Sequence, residues 1–395
     1  MLEGLKVIEL ATHIAAPAAG GMLAEWGADV VKVENPDGDP IRRGFEKLSP
    51  DGESPAFQLD NRGKRSAMLD IRQPEGREAL LRLMRGADVF LTNVRPGALK
   101  RAGIDWESVR AANPALIYAS VTGYGLLGDS ADLPGYDVAA FWSRSGVASL
   151  MTPKGEEPFP LRTGLGDHTC ALATAAAILA AVVERSRTGR GRLVETSLLR
   201  SGVYAISSDL AVFLRLGRIA STHKRTETAV PLVNYYRSAD GRWVCLMPRD
   251  RRTDWPKIAT AAGRLDLIDD PRFRDDEGRK ANTAALVAAL DEGFGQVDYA
   301  ELSRRLTEAD LVWAPLQTPQ ELAGDPLAEA AGCFVEAPDG RGGSFRSPAT
   351  PARFPGWEPV LGAPPSLGQH TAEVLAEAGL DPGQIARLVE IGAAL

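Results

Sequence analysis

Lys6-Val-Ile-Glu-Leu10, Ala15-Ala-Pro-Ala-Ala-Gly-Gly-Met-Leu-Ala-Glu-Trp26 and Ala28-Asp-Val-Val-Lys-Val-Glu34 follow one another near the start of the chain, and their order decides the fold. The outer two are short runs dominated by Val, Ile and Leu, as expected of strands buried on both faces. The middle one is long enough for a helix. Pro17 stands near its first turn, where an absent N–H breaks no intrahelical bond. Strand, helix and strand in this order form a β-α-β unit.

The alternation continues outward from there. Arg65–Ile71 reads as a strand, Pro74–Arg85 as a helix, Ala87–Thr92 as a strand, Pro96–Ala102 and Trp106–Ala112 as short helices, and Ala115–Val121 as a strand. Strands separated by helices are joined by crossovers rather than hairpins, so the expected fold is α/β, with a Rossmann-like, mainly parallel sheet carrying helices on both faces. A dinucleotide site does not follow from it. Glu34 ends the second strand where a ribose would be held, but the first strand leads into Ala11-Thr-His-Ile-Ala-Ala-Pro-Ala-Ala-Gly-Gly21 and not into G-x-G-x-x-G. No nicotinamide or flavin is expected.

Leu126–Arg162, rich in Pro and Gly, reads as loops leading to Gly164-Leu-Gly-Asp-His-Thr169. The apolar run from Cys170 to about Val183 is expected as a core helix, since at roughly 14 residues it is shorter than the ~20 a bilayer span needs. Leu193–Thr196 reads as a strand and Leu198–Leu214 as a helix. From Ala229 the composition changes: Asn234-Tyr-Tyr-Arg237 and Arg242-Trp-Val-Cys-Leu246 alternate about Ser238-Ala-Asp-Gly241, a hairpin pattern. Helices are expected at Trp255–Ala262, Asn282–Glu292 and Tyr299–Ala309, a strand pair at Gly332–Val335 and Gly343–Arg346, a surface connector over Pro348–Pro365, and two helices between His370 and Leu395. The expected division is a large α/β domain over 1–225, a small α+β domain over 226–330, and a return segment, 331–395, that completes the large one.

At 395 residues the chain exceeds one ordinary core. Its net charge of -7 and pI of about 5.4 argue against a general nucleic-acid binder. Cys170, Cys245 and Cys333 are odd in number and far apart, and the four histidines are scattered, so neither a disulfide frame nor a metal site is expected. The N-terminus lacks the basic start and apolar run of a signal peptide. A cytoplasmic protein with no membrane partner is expected.

Asp167 is the candidate catalyst. At the start of the apolar helix its carboxylate is expected at the N-cap, ionised by backbone N–H bonds and the helix dipole, with Gly164 and Gly166 admitting another molecule. Asp is also among the commonest N-cap residues, and that role alone would account for it. Several cations fall at element ends of the first domain: Arg42 and Arg43, Lys64 and Arg65, Arg95 after the strand ending at Thr92, and Lys100 with Arg101. A phosphorylated ligand is their simplest common occupant; singly, each reads equally as a solvated surface charge. Tyr124, between two glycines, and Tyr136-Asp137, after Pro134-Gly135, are pocket candidates or turn residues. His168 is an acid or base candidate, and His13 a better one by position.

The chain resembles the class III CoA-transferases of the formyl-CoA-transferase and carnitine-CoA-transferase kind. The resemblance is carried by Leu5-Lys-Val-Ile-Glu-Leu10 with Ala16-Pro17; Leu23-Ala-Glu-Trp-Gly-Ala-Asp-Val-Val-Lys-Val-Glu34; Gly38-Asp39 with Arg42; Asn61 with Lys64-Arg-Ser66; Leu69-Asp70; Ala87-Asp-Val89 with Asn93-Val-Arg-Pro-Gly97; Ala119-Ser-Val-Thr-Gly-Tyr-Gly125; Pro134-Gly-Tyr-Asp137; Gly166-Asp167; Thr188-Gly-Arg-Gly191; and Leu367-Gly-Gln-His-Thr371. Each is short; in order over essentially the whole length they are specific. The resemblance implies coenzyme A transfer from an acyl-CoA to a small carboxylic acid. Asp167 would be the nucleophile, passing through a mixed anhydride and an aspartyl-CoA thioester. It also implies CoA binding at or near Arg42, Lys64, Asn93, Arg95 and Arg101, with Tyr124, Tyr136 and Asp137 beside them, no cofactor beyond the CoA substrate, and an interlocked homodimer. Two places depart from the family. A glycine-rich lid loop is replaced by Leu246-Met-Pro-Arg-Asp-Arg-Arg252, and the related α-methylacyl-CoA racemases carry His where this chain has Tyr136, a poor proton shuttle at neutral pH. Racemisation or epimerisation of an acyl-CoA, and a catalytically silent CoA-binding protein, are the alternatives.

Overall fold

A computed structural model describes residues 1–49 and 52–395. Strand β1 (Lys6–Leu10) lies inside a six-stranded sheet, with β2 (Asp29–Glu34) and β3 (Arg65–Met68) on one side and β4 (Val89–Thr92), β5 (Ile117–Thr122) and β6 (Leu193–Ser197) on the other. Every pairing is parallel, as the alternation of strands and helices implies. The order 3-2-1-4-5-6 reverses direction between β1 and β4, and at such a switch the loops leaving the carboxyl ends diverge and open a crevice.

Strand residues alternate between the two faces. Ile8, Leu10, Val31, Val33 and Ala67 enter an apolar core covered by the helix Pro74–Arg85 and by the C-terminal helices Thr371–Glu377 and Pro382–Glu390. The opposite face carries Val7 and Val30, but also Glu9 and Lys32, which sit opposite one another in the β1–β2 register and are both 0% exposed. Over that face lies the helix Ala15–Glu25, which packs along the long helix Leu165–Thr188. Its Gly20 has no substitute, because a Cβ there would stand 2.1 Å from Oε2 of Glu9.

The return of the chain after residue 365 completes the sheet's outer edge. The Ser66 N–H of β3 donates to Nδ1 of His370 at 3.1 Å and the Met68 N–H to Oγ1 of Thr371 at 3.0 Å, while His370 N–H donates to the Ser66 carbonyl at 2.8 Å. Leu69 and Ala394 then form an antiparallel bridge. The stretch Leu367–Thr371 thus covers an edge strand whose unpaired N–H groups would otherwise face solvent.

Three readings of local structure change. Leu126–Arg162 is not all loop: Val138–Arg144 forms a wide helical turn with i→i+5 geometry and Val147–Met151 a short helix. The segment after β6 is two helices, Leu198–Ala205 and Ser207–Leu216, parted at Ile206. The helix read from Cys170 starts at Leu165 and runs 24 residues to Thr188, so by length and composition alone it is long and apolar enough to cross a membrane, a test that a core helix also passes. One side of it, Cys170, Ala171, Thr174 and Ile178, is buried.

The chain divides into a larger unit, Met1–Ser149, Pro160–Gly217 and Glu329–Leu395, and a smaller one, Leu150–Phe159 with Arg218–Ala328. Leu150–Phe159 therefore belongs with the small unit and not, as the expected boundary at 225 had it, with the large. The small unit holds the expected hairpin, β7 (Asn234–Arg237) with β8 (Trp243–Met247), and a third antiparallel strand, β9 (Val312–Pro315), that the sequence pattern did not signal. Its own core is built around Tyr236, Val244, Leu246, Ile258, Leu286 and Leu302. In the larger unit the C-terminal strand pair is β10 (Phe334–Pro338) with β11 (Ser344–Pro348).

Candidate active site

A cleft of about 210 Å³ opens in the larger unit at the carboxyl ends of the central strands. Thr12 and His13, after β1, form one wall. Asn93 and Arg95, after β4, form a second. Val121 and Thr122 at the end of β5, Gly123 just past it and Pro134–Tyr136 add to the lining, and Asp167 closes the set from the start of the long helix. This is where an open α/β sheet reversing between β1 and β4 places its ligand.

Buried charge holds the first wall in place. Lys32 donates to Oε1 of Glu9 at 3.1 Å and to the Ala11 carbonyl at 2.9 Å, and its Nζ lies 2.9 Å from Oδ2 of Asp39. Burial alone would lower its pKa, but Glu9, Asp39 and Glu34 hold the ammonium charged and its pKa above the usual lysine range. Oδ1 of Asp39 accepts the His13 N–H at 3.0 Å, fixing His13 in the left-handed region at φ 65°. The Asn93 amide spans the gap to the second wall: Nδ2 donates to the Thr12 carbonyl at 2.7 Å and Oδ1 accepts the Thr12 N–H at 3.1 Å. Asn93 therefore lines the cleft and ties two loops together.

Asp167 is not the N-cap. Gly164 caps the helix at φ 91°, and Asp167 is the third helical residue, with no side-chain cap bond. The expected ionised cap becomes a carboxyl group pushed up to about 7, by burial first and then by the neighbouring Asp137; His168, which lowers it, does not offset them. Nor does Gly166 leave space for a visitor. A Cβ there would meet Phe141 at 2.6 Å and Asp137 at 2.8 Å, so the glycine allows the helix start to press on the wide turn Val138–Arg144. Gly164 is clamped from both sides: its N–H donates to Oδ2 of Asp137 at 3.1 Å, and its carbonyl accepts the His168 N–H at 2.9 Å and faces His168 Nδ1 at 2.9 Å.

The remaining candidates separate. Arg95 is exposed in the cleft, and its guanidinium has no partner among the described residues. Tyr136, also exposed, sets its ring edge-on to His13 with centroids 5.5 Å apart. Asp137 is buried behind the cleft as the Gly164 clamp. Tyr124 lies outside the lining, with the Arg144 guanidinium 5.7 Å from its ring centre, and Arg101 is exposed near the end of the helix Pro96–Ala102.

Arg42 and Lys64 are not brought to the cleft. Arg42 forks onto Glu34, Nε to Oε2 at 2.8 Å and Nη2 to Oε1 at 2.7 Å, donates to the Pro365 carbonyl at 3.0 Å and stacks over Phe57. Glu34 thus holds an arginine instead of a ribose. Lys64 is fully buried, with its three donors spent on Glu9 at 2.7 Å, the Pro17 carbonyl at 2.8 Å and Asn61 at 2.9 Å; burial draws its pKa down to about 8. Sequence reasoning passed over Glu9, Lys32, Asp39 and Asp60. The signal for the first two was present: a charge of each sign inside strands otherwise made of Val, Ile and Leu, which a buried strand tolerates only when the charges are paired. Among the described residues no group of three His, Cys, Asp or Glu side chains is placed to hold a metal.

Comparison with known proteins supplies the family. Residues 2–371 match the model of CoA-transferase family III. The (R)-2-hydroxy-4-methylpentanoate CoA-transferase of Clostridioides difficile is 33% identical over 98% of this chain and 97% of its own length. The cinnamoyl-CoA:phenyllactate CoA-transferase of Clostridium sporogenes is 33% identical over 98% and 96%. Among solved structures, a CAIB/BAIF family protein from Brucella suis superposes with a TM-score of 0.85 at 31% identity, covering 95% of this chain and 99% of that one. The chain belongs to CoA-transferase family III, the class III CoA-transferases.

Proposed function

We propose that this enzyme moves coenzyme A from an acyl-CoA donor to a carboxylic acid acceptor with Asp167 as the covalent nucleophile. The observation that carries the reading is Asp167 at the edge of a cleft in which Arg95 offers a guanidinium unpaired among the described residues. An ionised Asp167 oxygen attacks the thioester carbonyl, the C–S bond breaks, and the thiolate of CoA leaves a mixed anhydride behind. The thiolate then attacks the aspartyl carbonyl, which releases the donor acid and leaves an aspartyl-CoA thioester. The acceptor carboxylate attacks in turn, and the same two steps in reverse give acceptor-CoA and free Asp167. Arg95 supplies a cation for a CoA phosphate or for the acceptor carboxylate. The names of the two relatives include hydroxy acids, which puts 2-hydroxy acids first among acceptors to try.

The working form we propose is a homodimer. Leu172 and Val183 on the long helix, and Tyr204, Phe213, Leu214 and Leu216 on the two that follow β6, are large apolar side chains left exposed, which supports their burial against a second copy.

The test of the nucleophile is mass spectrometry after brief incubation with a panel of acyl-CoAs and hydroxylamine. A hydroxamate or CoA adduct on the Asp167 peptide, absent from Asp167→Ala, is the expected result. An unmodified Asp167 under every donor that turns over would overturn it.

A further inference from the structure

His168 follows Asp167 in the helix, and both of its ring nitrogens are engaged. Nδ1 faces the Gly164 carbonyl at 2.9 Å; that oxygen has no hydrogen to give, so Nδ1 carries one. Nε2 lies 3.1 Å from Oδ1 of Asp60, on the helix Pro55–Asn61. A hydrogen bond across this gap needs one proton, on either atom: imidazolium beside carboxylate, or neutral imidazole beside carboxylic acid. Asp60 is 3% exposed and its other oxygen, Oδ2, is buried with no hydrogen-bond partner among the described residues. The imidazolium form therefore leaves an uncompensated carboxylate oxygen in the interior. The neutral form leaves an ionised Asp167 beside Asp137 without a cation. Each has its cost, and the charge on Asp167 decides which is lower.

We propose that the proton shared by His168 and Asp60 follows the charge on Asp167. It sits on Nε2 of His168 while Asp167 is an anion, and on Oδ1 of Asp60 while Asp167 is acylated and neutral. This rests on the nucleophile reading above. In the switch one N–H bond breaks, one O–H bond forms, and the pair keeps its net charge. His168 is thereby a positioning residue: it fixes the Gly164 turn through Nδ1 and presents positive charge to Asp167 only in the states that need it. The other charges facing the group are committed. Asp137 holds the Gly164 N–H, Lys64 and Glu9 near Asp60 hold each other at 2.7 Å, and Glu25, across the apolar pocket that His168 and Asp60 line, is paired with Arg62. Consistently, Asp60 is the first cause raising the His168 pKa, and His168 the one neighbour that lowers that of Asp167.

The experiment uses the full chain labelled with ¹⁵N-histidine. At pH 8, above the titration of Asp167, the wild type is expected to show His168 protonated on both nitrogens, and Asp167→Asn to move the Nε2 resonance toward the unprotonated range. One variant carries the point into catalysis. His168→Asn keeps a donor to the Gly164 carbonyl but removes the cation. It is expected to move the acid limb of the kcat/KM profile upward by about one pH unit, whereas a merely structural role would lower activity at every pH and leave the limb in place. Identical His168 spectra in wild type and Asp167→Asn, or a profile for His168→Asn with its limb unmoved, overturns the proposal. A negative hydroxylamine trap together with a spectral response to Asp167→Asn removes the nucleophile and retains the coupled pair.

Discussion

At the scale of single residues, Asp167 combines the position proposed for the nucleophile with a carboxyl group pushed up to about 7. The proposed attacking species is the anion, so activity is expected above that pH and a fall of about tenfold per unit below it; stopped-flow measurement of the first half-reaction between pH 5 and 9 reads this. The same shift acts on stability. The folded-state pKa stands above the ordinary 3.8, so the native state holds this proton more tightly than the unfolded chain, and stability is lost as pH rises from about 4 through 7. Asp167→Asn removes that penalty and is expected to stabilise the fold at pH 8 by on the order of 1–2 kcal/mol, discounted for the partial exposure of the group. The gain should vanish toward pH 4 in denaturant titrations. Two cations matched to the family's CoA positions should likewise part ways. Arg95→Ala is expected to raise KM for acyl-CoA about tenfold or more without changing the unfolding midpoint. Lys64→Met, which leaves a buried partner short of its cation, is expected to cost about 3–5 kcal/mol of stability.

Elements were legible where their pattern is local. The strand at Lys6–Leu10 and the helices Pro74–Arg85 and Pro96–Ala102 fall where apolar runs and N-terminal prolines place them. The helix Pro55–Asn61 and the wide turn Val138–Arg144 went unread because they are short and sit among loop residues, their stability coming from what they pack against. The long helix was read five residues late, since Gly164-Leu-Gly166 resembles a loop until Phe141 and Asp137 are seen pressed against Gly166. Close approach also governs Gly20. Glu9 is held by Lys32 and Lys64 and has nowhere to move, so Gly20→Ala is expected to destabilise by about 1–3 kcal/mol, read from the denaturant midpoint. The Leu367–Thr371 stretch, which carries the family resemblance, is a cover for the edge of β3, where Thr371 Oγ1 accepts the Met68 N–H.

For the molecule as a whole, the large apolar side chains exposed on the long helix and on the helices after β6 make assembly testable. Leu172→Glu combined with Phe213→Glu is expected to halve the mass measured by light scattering; a dimeric mass for the double variant would place the contact elsewhere. The larger unit is built from three separate stretches of chain, with Leu150–Phe159 given over to the smaller. Composition registers the change near Ala229 and cannot register that exchange, because a ten-residue stretch made of a helix end and a loop carries no hydrophobic period of its own.

What the amino-acid sequence determined alone was the parallel α/β sheet, the family, and Asp167 as the residue to examine: strand and helix periods are local, and ordered motifs survive without coordinates. What only the tertiary structure decided was the condition of each charged group. Lys64 meets Glu9 across 55 positions and Arg42 meets the Pro365 carbonyl across 323. Whether a cation is free to bind a ligand, or a carboxyl group is ionised, depends on burial and on partners that distant, and neither is written in the residue's own neighbourhood.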